Sequence, residues 1–169
     1  MRPHQQFFRT LKPLFSCGTF FVTSNETNFN MTTRDIFASW RSSAPYLQSI
    51  LRMVASLMFM MAGTTKLFAY PMGMPPDNDT AIYFTQIWFA GVLETFGGFL
   101  LLAGLFTRPV AFILSGEMAV AYLQVHLPMS PWPTINNGVN ALLYCFLWLW
   151  FSAAGAGPWS LDAMLRKKA

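Results

Sequence analysis

Four long apolar segments run through the sequence, and short stretches between them gather most of its prolines. The first covers residues 46–69 (YLQSILRMVASLMFMMAGTTKLFA) and is broken by Pro71, Gly73, Pro75 and Pro76 ahead of the acidic Asp77-Asn78-Asp79. The second covers 81–104 (AIYFTQIWFAGVLETFGGFLLLAG) and ends before Thr107-Arg108-Pro109. Pro109 suits the first turn of a third helix, where its missing N–H costs nothing. That helix runs to about Leu127 and stops in the proline-rich stretch 128–133. The fourth segment, 137–155, is released by Gly155, Gly157 and Pro158. Each segment approaches the ~20 residues that cross a bilayer core. Strands of a membrane barrel would alternate with a period of two, which GGFLLLAGLF and YCFLWLWF do not. The pattern predicts an all-α, polytopic membrane protein, a bundle of four transmembrane helices over residues 46–165.

Residues 1–45 differ from the rest. They are rich in Ser, Thr, Asn and Phe, keep no lasting periodicity and read as a polar N-terminal extension. The piece 14–22 (LFSCGTFFV) is too short to span, and Ser16 and Gly18 interrupt it. Arg9 and Lys12 before it imitate a signal peptide's positive region, but no small-residue cleavage site follows. An alternative start at Met31 would leave TTRDIFASWRS as a short amphipathic lead-in to the first span. Residues 166–169 form a basic tail.

Composition sharpens the membrane assignment. Hydrophobic residues make up 54% of the chain and charged residues 11%, against roughly 25% charged in soluble domains. The net charge of +4 is scattered singly or gathered in Arg166-Lys167-Lys168, so no basic stripe exists to follow a nucleic-acid backbone. Membrane lipid is the expected partner. Cys17 and Cys145 stand alone, without a CxxC or metal-ligand spacing, and predict neither a disulfide nor a metal site. Arg34, Arg41, Arg108 and the terminal cluster fall on one side of a four-span chain, while the loops 70–80 and 128–136 have no Lys or Arg. The positive-inside rule then puts both termini on the cytoplasmic side of the plasma (inner) membrane.

Five ionisable residues break the apolar spans: Arg52, Lys66, Glu94, Glu117 and His126. Each costs about 2.5–3.5 kcal/mol at the bilayer centre unless it pairs, snorkels or faces a cavity. At 1.5 Å per residue, Arg52 lies about 9 Å into the first helix, Glu117 about 12 Å past Pro109 and Glu94 about 15 Å before Gly104. These depths predict a buried Arg52–Glu94–Glu117 cluster in the cytoplasmic half that handles charge or protons. Lys66 and His126, with Tyr122 one turn below, make an outer polar tier for cofactor binding. Lys66 can instead snorkel outward on its aliphatic stem. His126 can be a plain interfacial residue, and Arg52 can reach the headgroups. The glutamates are too short to escape, though a purely structural Arg–Glu network satisfies the same physics. Gly91, Gly97 and Gly98 around Glu94, Gly63 before Lys66 and Gly116 beside Glu117 mark close helix contacts.

These pieces together resemble the DoxX family of small four-helix membrane proteins. The similar stretches are LRMVASLMFMMAGTTKLF (51–68), AGVLETFGGFLLLAGLFTRPVAF (90–112), EMAVAYLQVH (117–126) and the closing GPWSLDAML (157–165). The family's first-helix arginine and GxxK element fall on Arg52, Gly63 and Lys66. Its ExxGG and GLxTR elements fall on Glu94, Gly97, Gly98, Gly104, Leu105, Thr107 and Arg108, and its third-helix histidine on His126. The resemblance implies a link to quinol oxidation, thiosulfate:quinone oxidoreduction or complexes handling thiol oxidative stress. With no thiol pair or haem-ligand pair in the spans, such a role implies a bound quinone or a redox partner subunit. A non-enzymatic assembly factor or small-solute transport protein is the alternative.

Overall fold

A computed structural model describes residues 25–167 of the chain, with side chains from residue 37 onward except Ser39. The segment 14–22, Cys17, Arg9 and Lys12 lie outside the described residues. Among the described residues every extended element is helical; the one β-bridge joins Met74 to Asp79. The chain divides into two units, Met1–Trp40 and Arg41–Ala169. In the first, the described residues are helical from Asn25.

The second unit holds four principal helices. Helix α1, Asn25–Phe68, enters it from the first unit and ends where Ala69 turns left-handed (φ 50°) and Pro71 follows. Helix α2, Gln86–Ala103, starts five residues later than the apolar run because residues 80–85 turn instead of coiling. Phe84 is left-handed there, and the Thr85 hydroxyl caps the Trp88 N–H at 3.3 Å. Gly104 closes α2 at φ 69°, with Leu105 N–H on Leu100 O (3.0 Å) and Gly104 N–H on Leu101 O (3.1 Å). That is a Schellman motif. Helix α3, Thr107–Ala121, carries Pro109 in its first turn as expected and continues as a π-helical turn through Tyr122–His126. Helix α4 spans Val139–Ala154, and the short α5 spans Leu161–Arg166 under a Ser160 cap.

Small residues set how these helices meet. A Cβ on Gly63 would lie 2.6 Å from the Thr95 backbone and 2.9 Å from Gly91 O, so α1 and α2 touch backbone to backbone. Gly98 packs under Met60 in the same seam, and Gly97 makes room for the Leu114 side chain of α3. Between α3 and α4, Ser115 donates to Cys145 O at 2.8 Å. Phe59 of α1 closes the ring against Tyr144 and Trp148 of α4, with centroids 5.0 and 5.4 Å apart. The core is correspondingly Phe59, Leu101, Leu114, Trp148 and Phe151.

The outer faces are the reverse of a soluble protein's. Phe96, Phe99, Phe112, Leu143 and Phe146 are all well exposed. Two helical stretches, Trp40–Phe68 and Gln86–Ala103, are long and apolar enough to cross a membrane. Only 33% and 22% of their most apolar windows are buried inside the protein, so neither is the enclosed core helix of a soluble fold.

Candidate functional site

The closest helix seam also carries the first polar site. Gly63 and Gly91 bring α1 against α2, and a Cβ on Gly91 would sit 3.0 Å from Lys66 Cβ. Lys66 is thereby held one turn from Glu94, and its Nζ bonds both carboxylate oxygens. Glu94 is 3% exposed and lies in a π-helical turn, Leu93–Gly97. Such wider turns break the regular i→i−4 ladder and recur at functional sites.

Glu117 approaches the pair from α3, and the charges acting on it are those of Glu94 and Lys66. Both of its carboxylate oxygens are buried, and neither has a hydrogen-bond partner among the described residues. Lys66, Glu94, Glu117 and His126 all line one cavity of about 690 Å³ between α2 and α3. Its remaining wall is mainly apolar, including Phe89, Leu93, Ile113 and Val125, with Gln86 as a further polar group. Gly116 widens it, since a Cβ there would meet nothing within 4 Å. His126 sits in the second π-helical turn and its Nδ1 is 2.8 Å from Asn136 O. A carbonyl only accepts, so Nδ1 carries the proton and Nε2 is the acceptor of the neutral ring. Tyr122 is not on the cavity wall. Its ring stacks on His126 at 6.3 Å and covers Gly138.

Arg52 belongs elsewhere. The expected pairing of Arg52 with Glu94 or Glu117 is not formed; among the described residues the salt bridge in the bundle is Lys66–Glu94. Arg52 is 1% exposed and donates to three carbonyls, Ala156 O, Trp159 O (2.7 Å) and Leu102 O (3.4 Å). The physical reason is the closing segment, which folds back beneath the bundle. Gly157, at φ 79°, fits against Ser49 Oγ, and Ser49 Oγ accepts the Trp159 N–H at 3.2 Å. Asp162 caps α3 through Phe106 N–H and Thr107 N–H, each at 2.9 Å.

The sequence motifs therefore sort into two assemblies. Lys66, Glu94, Glu117 and His126 share the cavity, while Arg52, about four turns earlier on α1, forms a clasp with Gly104, Thr107 and the 157–165 segment. Gln86 and Asp162 were not singled out from sequence. Gln86 was legible as a polar side chain inside an apolar run, and Asp162 as the third residue of a Ser-Leu-Asp cap.

Residues 47–127 match the sequence model of the DoxX family, a span that contains Arg52, Lys66, Glu94, Glu117 and His126. An uncharacterized protein of Haemophilus influenzae is 42% identical over 127 residues, covering 73% of this chain and 94% of the relative. No solved structure matches. Together with the two spanning-length helices, these similarities make the chain a membrane protein. It belongs to the DoxX family.

Proposed function

We propose that the chain crosses the plasma membrane four times with both termini cytoplasmic, and that its α2–α3 cavity holds a quinone-class ligand within a membrane redox complex. The observation that carries this reading is Glu117, whose two buried oxygens lack a partner while facing an apolar cavity beside a satisfied Lys66–Glu94 pair. An unsatisfied buried carboxylate is expensive, and such groups mark proton or ligand sites in membrane proteins. The wall suits a lipid-soluble ring. Phe89, Leu93 and Ile113 offer apolar surface, while the Gln86 amide can donate to a ring oxygen and His126 Nε2 can accept from a ring hydroxyl.

A bound quinone supplies two-electron, two-proton redox chemistry, with the electrons drawn from a partner subunit. The chain's own residues hold and move the protons. Glu117 is the group free to carry one, because Glu94 is already committed to Lys66. Lys66 Nζ fixes Glu94 through both carboxylate oxygens, and His126 presents Nε2 as an acceptor while Asn136 O holds its other nitrogen. The apolar wall limits water at these groups.

The test is binding of a short-chain ubiquinone to the full chain in lipid nanodiscs, with Gly116→Leu as a variant that fills the cavity without touching a polar group. Binding by the native chain and its loss in Gly116→Leu, at unchanged melting temperature, is the expected result. No binding, and no quinone-dependent electron transfer when native partners are present, removes the proposal. It would favour the assembly role that the Lys66–Glu94 tie between α1 and α2 also fits.

A further inference from the structure

At the end of the bundle where α3 begins and α4 ends, a groove of about 390 Å³ opens between Phe106–Pro109, Gly155, Ala156 and α5. Two guanidinium groups line it, Arg108 and Arg166, and both side chains are exposed. Arg108 lies along the bare backbone of Gly155, where a Cβ would be 3.5 Å from its Nε. It has no ion pair or hydrogen bond among the described residues.

The acceptors around Arg108 are already taken. Gly155 O accepts from Gln48 at 2.7 Å, and Ala156 O accepts from Arg52. Phe106 O accepts from Val110 N–H at 3.1 Å. Asp162, the one carboxylate in the groove, spends its two oxygens on Phe106 N–H and Thr107 N–H. Arg166 Nε reaches only the backbone oxygen of Asp162, at 3.4 Å. Thr107, completely buried, adds a hydroxyl without a partner to the same lining. The groove thus holds surplus donors and two positive charges against the single carboxylate of Asp162, which neither guanidinium pairs with among the described residues. Its remaining sides, Phe106, Pro109 and Leu165, are apolar and exposed.

We propose that this groove binds the phosphate of an anionic phospholipid, with Arg108 and Arg166 on the phosphate oxygens and Phe106 and Leu165 against the glycerol and upper acyl chain. Charge complementarity argues for a phosphate, because Arg presents a planar fork suited to its oxygens. Position argues for a lipid source. On the four-span reading, the first turn of α3 and the last of α4 lie at headgroup depth, where basic pockets between helices take anionic head groups. Lys167, exposed at the next position, extends the positive surface.

Native mass spectrometry of the full chain from mixed micelles tests this with phosphatidylglycerol and phosphatidylcholine as probes. Phosphatidylglycerol adducts should dominate. Arg108→Gln and Arg166→Gln should each lower their retention about fivefold, the effect of one basic residue near an anionic surface. Phosphatidylcholine adducts should not change, nor should phosphatidylglycerol retention in Arg41→Gln, an exposed arginine outside the groove. Arg166 lies on an exposed helix face, so its variant decides the matter even if Arg108→Gln fails to fold. Equal retention of the two lipids, or an equal loss in Arg41→Gln, overturns the proposal. Complete displacement by millimolar inorganic phosphate overturns the lipid assignment and makes the groove a site for the free anion.

Discussion

Helix α1 carries two cations inside its apolar stretch, Arg52 and Lys66, and the bundle treats them in opposite ways. Arg52 is enclosed by three backbone carbonyls of the α2 end and the closing segment, and only its Nε is left without a partner. Lys66 is matched by Glu94, but that match leaves a second carboxylate, Glu117, beside it with nothing to bond. Arg52 does not line the groove beside it, which Thr107, Ala156 and Asp162 border, whereas Lys66 opens directly onto a cavity of about 690 Å³. Buried polar groups that are satisfied internally fix a structure; those left over need something else to complete them. Arg52 is thus matched to holding the fold, and the proposed proton chemistry belongs to the cavity beside Lys66.

Breaking the clasp should have the largest effect on stability. Arg52→Met removes every hydrogen bond of the guanidinium and leaves the buried Ala156 carbonyl and the part-buried Trp159 and Leu102 carbonyls without that donor. Unpaired buried groups cost about 1–3 kcal/mol each, so a loss of about 3 kcal/mol is expected. Reversible unfolding in mixed micelles measures it, and protease nicking near residue 158 should rise in parallel as the closing segment releases. A variant as stable as the native chain would mean that the carbonyls find other donors and that the clasp contributes no stability.

The Lys66–Glu94 pair should rank second. A double-mutant cycle of Lys66→Met and Glu94→Gln isolates its coupling. Polar contacts between membrane helices average about 0.6 kcal/mol and reach about 1.7, and a bidentate contact at so close a seam belongs near the upper value. Lys66→Met alone should be worse than the double variant, since it strands two carboxylates where the double strands one. Additive single effects would show that Lys66 contributes through its packed stem over Gly91 rather than through its charge.

Which residues share a site was less legible in the sequence than which residues are unusual. All five ionisable positions were visible because apolar spans make them conspicuous, but depth counted along expected helices joined Arg52, rather than Lys66, to the two glutamates. Counting back about 15 Å from Gly104 put Glu94 in the same layer as Arg52. The helix begins at Gln86, so Glu94 is only about 12 Å from that end by the rise per residue. Lys66, two residues before the end of α1, lies within its reach. Thr85 ahead of an apolar run was the available cap signal. Nor does depth convey rotation about a helix axis, or a return of the chain such as the one that delivers residues 156–162 to Arg52. The π-helical turns at Leu93–Gly97 and Tyr122–His126 leave no mark in hydrophobic periodicity, because each shifts the helix face by one residue only.

Glu117→Gln should have the smallest effect on stability and the largest on turnover, and that combination separates the two sites most sharply. The substitution keeps the size of the side chain and removes the acidic proton site next to Glu94. No hydrogen bond among the described residues is lost, because neither oxygen of Glu117 makes one there. The variant should therefore be as stable as the native chain, within about 0.5 kcal/mol. Gln cannot carry a proton as a carboxylate does, so quinone-dependent turnover should fall by the 10²–10⁴-fold typical of a lost acid–base group. Ligand affinity should change far less, since the apolar wall is intact. Turnover equal to the native value would take Glu117 out of proton handling. A melting temperature well below it would show that the carboxylate holds the fold after all, and the contrast between a closed clasp and an open site would then fail.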